Sequence, residues 1–301
     1  MNIILIHTNR KSLLPHLKLY FEKVKNDNVS ILKINKIEDL NKIEDDIKAN
    51  KIDFMVFSNG SDNIDVKLKS KILNINPNQK LLFSENAWLT WQDFLYLDST
   101  GIGSNSFIFN NFNFVNISKA KKDFVHDLVL KQTQNGKTIK IKDYVLVPLQ
   151  VNNDSKLNIG SPHFKTIEEF IDHVIKIIPD DVKILFKNHP NNKNKAIIPK
   201  RHNVINITSD NYSRKSLIEH AKYVIGINTT FLIESIYFKK LTVAFGLDVF
   251  SNKNIVCEGF GKTHVEILKF KPDLQNSEAF IDLLISKQIP KKHIVEKYKA
   301  L

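Results

Sequence analysis

Val182-Lys183-Ile184-Leu185-Phe186 runs into Lys187-Asn188-His189-Pro190, an apolar stretch closed by polar residues and a proline. The same form returns in Tyr223-Val224-Ile225-Gly226-Ile227, followed by Asn228-Thr229-Thr230-Phe231-Leu232-Ile233-Glu234. Each run has the length and composition of a buried strand. Each ends by placing polar, phosphate-compatible groups where a strand gives way to a loop or a helix. In an open α/β sheet ligands bind at that edge, because loops at the carboxyl ends of strands leave a crevice and helix N-termini offer unpaired N–H groups. Two such edges in one half of the chain point to a site for a nucleotide-linked sugar.

Outward from these segments, short β-like runs alternate with helical patterns, which implies parallel sheets with crossover helices. Ile3–His7, Ser30–Ile34, Phe54–Ser58 and Lys80–Ser84 read as strands, with helices at Ser12–Lys25 and Ile37–Lys48. An apolar stretch Trp88–Tyr96, a turn-rich Ser99–Ser106 and a basic helix around Lys119–Thr133 follow, and Gln134–Lys137 reads as a loop. The pattern restarts at Tyr144–Leu149. A helix over Thr166–Ile178 carries Glu168 and Glu169 in its first turn, a good N-terminus. Strand Val204–Ile207, helices Arg214–Ala221 and Thr230–Phe238, and strand Leu241–Phe245 complete the second half. The expected fold is α/β and GT-B-like, two Rossmann-like domains facing a cleft, although other nucleotide-binding folds share the alternation. The expected division is residues 1–140 on the acceptor side and 141–301 on the nucleotide-sugar side. Helices at about Ser277–Ser286 and Lys291–Ala300 are free to pack on either half.

A chain of 301 residues, 42% hydrophobic and 25% charged, suits a globular protein with a substantial core. No apolar stretch approaches the roughly 20 residues that span a bilayer. Met1–His7 lacks a basic leader region and a small-residue cleavage site, so it reads as a buried strand, and a cytoplasmic location is expected. The single cysteine, Cys257, excludes an intrachain disulfide framework and a cysteine-built zinc site. The net charge of +12 fits anionic partners, or the lysine- and asparagine-rich output of an AT-rich coding sequence. Neither zinc-finger spacing nor an RNA-recognition aromatic signature is present, so no nucleic-acid partner is expected. Lys119, Lys121, Lys122, Lys291, Lys292 and Lys297 are candidates for peripheral contact with anionic headgroups at the inner membrane; a solvated helix face is the plainer reading.

His189 and Lys187 are placed to meet a phosphate, with a surface turn as the alternative for His189. Asn228, Thr229 and Thr230 form an anion cradle where a helix begins, or an ordinary N-cap. Glu234, one turn on, is either an acceptor for a ribose hydroxyl or half of a capping interaction. Glu85 follows Leu81-Leu82-Phe83, and Asp154 follows Val145–Gln150 through Val151-Asn152-Asn153. Carboxylates at such edges can divide labour as nucleophile and acid/base, or serve as solvated caps. The sequence has no Asp-x-Asp, no Walker A loop, no Gly-x-Gly-x-x-Gly, no Gly-x-Ser-x-Gly and no His-Glu-x-x-His. No metal and no cofactor is therefore expected.

Taken in order, Leu82-Phe83-Ser84-Glu85-Asn86, Val147-Pro148-Leu149-Gln150 with Asp154-Ser155, Lys187-Asn188-His189-Pro190, and Asn228-Thr229-Thr230 with Glu234 resemble the capsular-polysaccharide biosynthesis family of bacterial β-Kdo transferases. Kdo is 3-deoxy-manno-oct-2-ulosonic acid. The resemblance covers about residues 80–250. It implies a CMP-Kdo donor, a glycan or glycolipid acceptor, and retained configuration by double displacement. On that pattern Asp154 is the nucleophile and Glu85 the acid/base. His189 contacts the CMP phosphate, Asn228–Thr230 cradle it, and Glu234 holds the ribose or orders the loop. Ala87, Lys156, Asn191 and Asn192 depart from the family's habit and leave the identity of the acidic sugar open. Three other readings stand beside this one: an inverting, sialyltransferase-like enzyme using the same donor class, a relative of CDP-glycerol polymerases, and a non-catalytic partner that binds anionic glycan. The Asn228-Thr229-Thr230 turn argues against the second, whose family carries a Tyr-Ser-Ser type turn.

Overall fold

Two six-stranded sheets organise the chain, one in each of two units. A computed structural model describes all residues except 9–12, 59–62, 152–154, 191–195 and 208–210, together with all side chains outside those segments except Val24, Asn63, Ser155, Lys156 and Asn158. The first unit comprises Met1–Asn111 and Ser286–Leu301, the second Phe112–Ile285.

In the first unit the strands are β1 (Asn2–His7), β2 (Asn28–Lys33), β3 (Phe54–Phe57), β4 (Leu81–Asn86) and β5 (Phe94–Asp98). The sheet order is β12-β5-β4-β3-β1-β2, where β12 is Gln288–Pro290 from the far end of the chain. Strands β1 to β4 are parallel, while β5 runs antiparallel to both β4 and β12. Ile3, Leu5, Val56 and Leu95 point into a core shared with Leu14, Leu17 and Phe21 of the first helical segment. That segment is an α-helix over Leu14–Leu19 continued by a wider π-type turn, Tyr20–Val24. The region expected as one helix at Ile37–Lys48 is a 3-10 turn, Ile37–Ile43, leading into a short α-helix, Glu44–Lys48.

The second unit holds β6 (Tyr144–Pro148), β7 (Lys183–Lys187), β8 (Val204–Ile207), β9 (Ala221–Gly226), β10 (Thr242–Ala244) and β11 (Cys257–Glu258). All pair in parallel, in the order β8-β7-β6-β9-β10-β11. Counted from β6, this is the 3-2-1-4-5-6 order of the dinucleotide-binding fold. Every residue of β6 is buried, as a strand covered on both faces requires. Phe170, Ile171 and Val174 of the helix Ile167–Ile177 cover one face. That helix opens on a reciprocal cap: Thr166 Oγ1 accepts from the Glu169 N–H (3.1 Å) and the Glu169 carboxylate accepts from the Thr166 N–H (3.4 Å).

The sequence placed the division near residue 140, whereas the two units part at Asn111/Phe112. The helix Lys119–Thr133 and the loop after it are bonded into the second unit. Ser213 Oγ donates to the Thr133 carbonyl (2.9 Å), Lys137 N–H to that of Asn211 (2.6 Å), and Ile139 N–H to Ser216 Oγ (3.0 Å). At the other end the helix Leu274–Lys287 gives way to β12 on the first sheet, and the final helix is confined to Val295–Lys299.

The lysines considered for headgroup contact fare differently from one another. Lys119 pairs with Asp123 and Lys122 with Asp282, each at 2.5 Å. Lys291 is not a surface residue at all; its side chain is drawn inward by acceptors on the β4–β5 hairpin. No helix among the described residues is long and apolar enough to cross a membrane.

A buried polar pair ties β9 to the second unit's periphery. Tyr223 Oη and His264 Nδ1 lie 2.6 Å apart, and burial holds the imidazole below its ordinary pKa, with Lys222 adding to the effect. The unfolded chain therefore takes up a proton below about pH 6.5 that the folded chain resists, and the stability this site contributes is lost as pH falls through the depressed folded value. Urea midpoints at pH 7 and pH 5 check this: the fall on acidification is expected to be smaller in His264→Phe than in the wild type.

Candidate functional site

The order of the second sheet reverses between β6 and β9, so the crevice at their carboxyl ends is where a doubly wound fold accommodates ligands. Gln150 leaves the end of β6 and Asn228 the end of β9, and both side chains are buried. Gln150 Nε2 donates to Asn228 Oδ1 at 3.0 Å, and Gln150 Oε1 accepts from the Asn228 backbone N–H at 3.3 Å. Asn228 Nδ2 lies 3.4 Å from the Leu247 carbonyl. Asn228 is thus a brace across the switch point that fixes the turn before the next helix.

That turn ends in an N-cap. Thr229 Oγ1 accepts from the Phe231 N–H at 3.3 Å, and the helix Thr230–Tyr237 begins with Thr230 exposed and Phe231, Leu232 and Ile233 buried. The structure shows the N-cap; a capped helix still leaves N–H groups of its first turn without an intrahelical partner. Glu234, one turn along, pairs with Arg214: Arg214 Nε donates to Glu234 Oε2 at 2.9 Å. Its partner therefore comes from the first turn of the helix Arg214–His220, which Ser213 caps.

On the other side of β6, the end of β7 supplies Lys187, Asn188 and His189. The Lys187 carbonyl accepts from the Leu149 N–H (2.9 Å), while Asn188 N–H donates to the Ile207 carbonyl (3.1 Å) and Asn188 Nδ2 to Asn206 Oδ1 (2.8 Å). These bonds knit the segment between the ends of β6 and β8. Lys187 is buried and His189 half-buried. Lys187, His189, Asn228, Thr229 and Thr230 are therefore all carried by one sheet edge of the second unit.

Backbone closes on backbone beneath this edge. Leu247 N–H donates to the Gly160 carbonyl at 2.6 Å, and Gly246 N–H to that of Ile227 at 3.0 Å. A methyl group added at Gly160 would stand 2.3 Å from the Leu247 oxygen and 2.6 Å from Asn228 Nδ2. One added at Gly246 would stand 2.5 Å from the Gly160 oxygen. Gly160 ends the helix Ser155–Gly160, which starts one residue after Asp154. Asp154 itself lies outside the described residues.

Glu85 belongs to the first unit, in β4, opposite Tyr96 of β5. It is half-buried, and its Oε1 accepts from both the backbone N–H (2.8 Å) and the Nδ2 (3.3 Å) of Asn86. Among the described residues, no group of three or more His, Cys, Asp or Glu side chains is arranged to hold a metal ion. Four contributors escaped the sequence reading. Gln150 lay inside a quoted motif without a role, because its partner is 78 residues away. Gly160 and Gly246 carry no motif. Lys291 sits in a basic run that reads as solvated.

Known proteins extend these observations. FixF of Sinorhizobium fredii is 28% identical over 120 residues, which span 38% of this chain and 29% of FixF's length. Among solved structures, KpsC of Thermosulfurimonas dismutans is similar in fold over almost the whole chain. Its beta Kdo 2,7 transferase aligns with TM-score 0.63 at 16% identity, covering 99% of this chain and 98% of that one. Its beta Kdo 2,4 transferase aligns with TM-score 0.65 at 17% identity, covering 98% and 97%. Identities this low speak to fold alone. Residues 108–290, more than half of the chain and the whole of the second sheet, match the family model for capsule polysaccharide biosynthesis proteins, and the chain belongs to that family.

Proposed function

We propose that the chain is a glycosyltransferase that moves Kdo, or a closely related acidic ulosonic sugar, from its CMP ester to a glycan or glycolipid acceptor in surface polysaccharide synthesis. The observation that carries the reading is the Gln150–Asn228 brace at the switch point of a doubly wound sheet. The brace holds the Thr229–Thr230 helix start on the same edge as the Lys187–His189 segment, the arrangement expected for a nucleotide phosphate. The fold shared with the two KpsC transferases and the family membership support the choice of donor.

In this reading the transfer retains configuration by double displacement. The Asp154 carboxylate attacks the anomeric carbon as the C–O bond to CMP breaks and CMP departs with the bonding pair, leaving a glycosyl ester on Asp154. The acceptor hydroxyl then gives its proton to Glu85 and attacks the same carbon, expelling the Asp154 carboxylate. His189 and the N–H groups at Thr229–Thr230 receive the phosphate. Asn228 shapes that turn through Gln150, and Glu234 steadies it through Arg214. Purified protein given CMP-Kdo, generated in place, and a capsule-type oligosaccharide is expected to release CMP and to lengthen the acceptor by one sugar, read by mass. Absence of both CMP binding and CMP release overturns the reading.

A further inference from the structure

Lys291 comes from the far end of the chain, yet its ammonium bonds the side chain of Asn86, the neighbour of Glu85. The route is short and well bonded. β12 pairs antiparallel with β5, with Gln288 opposite Tyr96 and Pro290 opposite Phe94. Gln288 Oε1 accepts from the Leu89 N–H at 3.1 Å, and Lys291 N–H donates to the Asp93 carbonyl at 2.8 Å. His293 Nε2 and Asp93 Oδ1 are 2.8 Å apart. These contacts fasten the returning segment to the β4–β5 hairpin.

Lys291 is 7% exposed, and Nζ donates to Asn86 Oδ1 (2.8 Å) and to the Trp91 carbonyl (2.7 Å). An ammonium has donors only, so it fixes which end of the Asn86 amide faces it. The Asn86 oxygen must point at Lys291, and the Asn86 NH2 group is left to face Glu85, where it donates to Oε1 at 3.3 Å beside the 2.8 Å bond from its own backbone N–H. Both bonds fall on one carboxylate oxygen and set its rotation. Burial works against the Lys291 charge, while the carboxylates of Asp93 and Glu85 favour it. A buried cation held this way polarises the amide between it and the base.

We infer that Lys291 is a positioning residue for the acceptor step, acting through the Asn86 amide to orient the Glu85 carboxylate; the inference rests on the reaction proposed above. Glu85 has no part in the departure of CMP, so disturbing the link separates the two halves of the reaction.

The test uses the full chain with CMP-Kdo generated in place, following the covalent adduct by intact mass without acceptor and its decay on adding acceptor. Lys291→Met removes the cation. Asn86→Asp gives Lys291 a carboxylate partner, keeping that charge satisfied and the fold intact, while removing the NH2 donor. In both variants adduct formation is expected within about threefold of wild type and acceptor-driven decay slowed by about tenfold or more, a fraction of what loss of the base itself removes. Thermal unfolding of each variant accompanies the kinetics. Wild-type decay in Asn86→Asp, or an equal loss of both steps in that variant while it remains folded, overturns the inference. A wild-type chain that forms no adduct and releases no CMP overturns the underlying reaction instead, and is told apart because it needs no variant.

Discussion

Glu85→Gln is expected to lower transfer to acceptor by about a hundredfold to ten-thousandfold, the usual worth of a general base. The substitution is a clean one here. A glutamine at this position keeps an oxygen able to accept from the Asn86 N–H and side-chain amide, the two bonds that hold Glu85 Oε1 at 2.8 and 3.3 Å. Local geometry and burial are therefore preserved, and what is lost is the capacity to take the acceptor's proton. CMP departure does not use that capacity, so the donor half-reaction stays close to wild type. Steady-state transfer and acceptor-independent CMP release, measured side by side, check the split. Transfer retained within about threefold would show that Glu85 is not the base.

Gly160→Ala is expected to harm the second unit more than a single methyl group suggests. The added carbon meets the Leu247 carbonyl at 2.3 Å and Asn228 Nδ2 at 2.6 Å, both far inside contact distance. Neither is the tip of a flexible surface chain: one is backbone, and the other is locked by Gln150. Relief requires the Ser155–Gly160 helix and the Gly246–Leu247 strand exit to move apart, breaking the 2.6 Å bond from Leu247 N–H to the Gly160 carbonyl. Overpacking of this kind costs about 1–3 kcal/mol. For a unit of this size, where each kcal/mol moves the unfolding midpoint by roughly 2–4 °C, that corresponds to a fall of about 2–12 °C. CMP affinity should fall with it, because the displaced groups include the Asn228 brace. An unchanged midpoint together with unchanged CMP binding would contradict this packing account.

The parts of the fold legible in sequence were those set by local chemistry. Val182–Phe186 and Tyr223–Ile227 are mainly apolar runs that give way to Lys187-Asn188-His189-Pro190 and to Asn228-Thr229-Thr230, and the structure places β7 and β9 there. Thr166 with Glu169 announces a helix start through side chains three residues apart, and the reciprocal cap is present. What escaped was whatever depends on distant partners. The helix Lys119–Thr133 buries only Phe124, Val125, Val129 and Thr133, and no Pro- or Gly-rich linker precedes it, so nothing in its own composition says which sheet it serves. Its allegiance is decided by bonds to residues 211–216. β12 is three residues long and is a strand because β5 offers it a partner. Lys291 precedes Lys292 and His293, a run indistinguishable from a solvated patch until Asn86 and Trp91 are seen to receive its ammonium.

The candidate site divides the same way. Motif chemistry singled out His189, Thr229 and Thr230; the threonines follow β9, where the strand order reverses, and His189 follows β7, on the far side of β6. The glutamine that secures the neighbouring Asn228 and the glycines that permit the close approach beneath it leave no local mark. Asn228, read from sequence as part of an anion cradle or an ordinary cap, bonds to Gln150; Glu234, read as a ribose acceptor, half of a cap or a residue that orders the loop, pairs with Arg214.

The covalent intermediate proposed on Asp154 is open to detection by intact mass spectrometry of the purified chain mixed with freshly generated CMP-Kdo. A Kdo-sized mass increase is expected that is absent in Asp154→Ala and accumulates most in Glu85→Gln, where the second step is slowed. CMP released only when acceptor is present, with no adduct in either the wild type or Glu85→Gln, would contradict it and point to direct, inverting displacement.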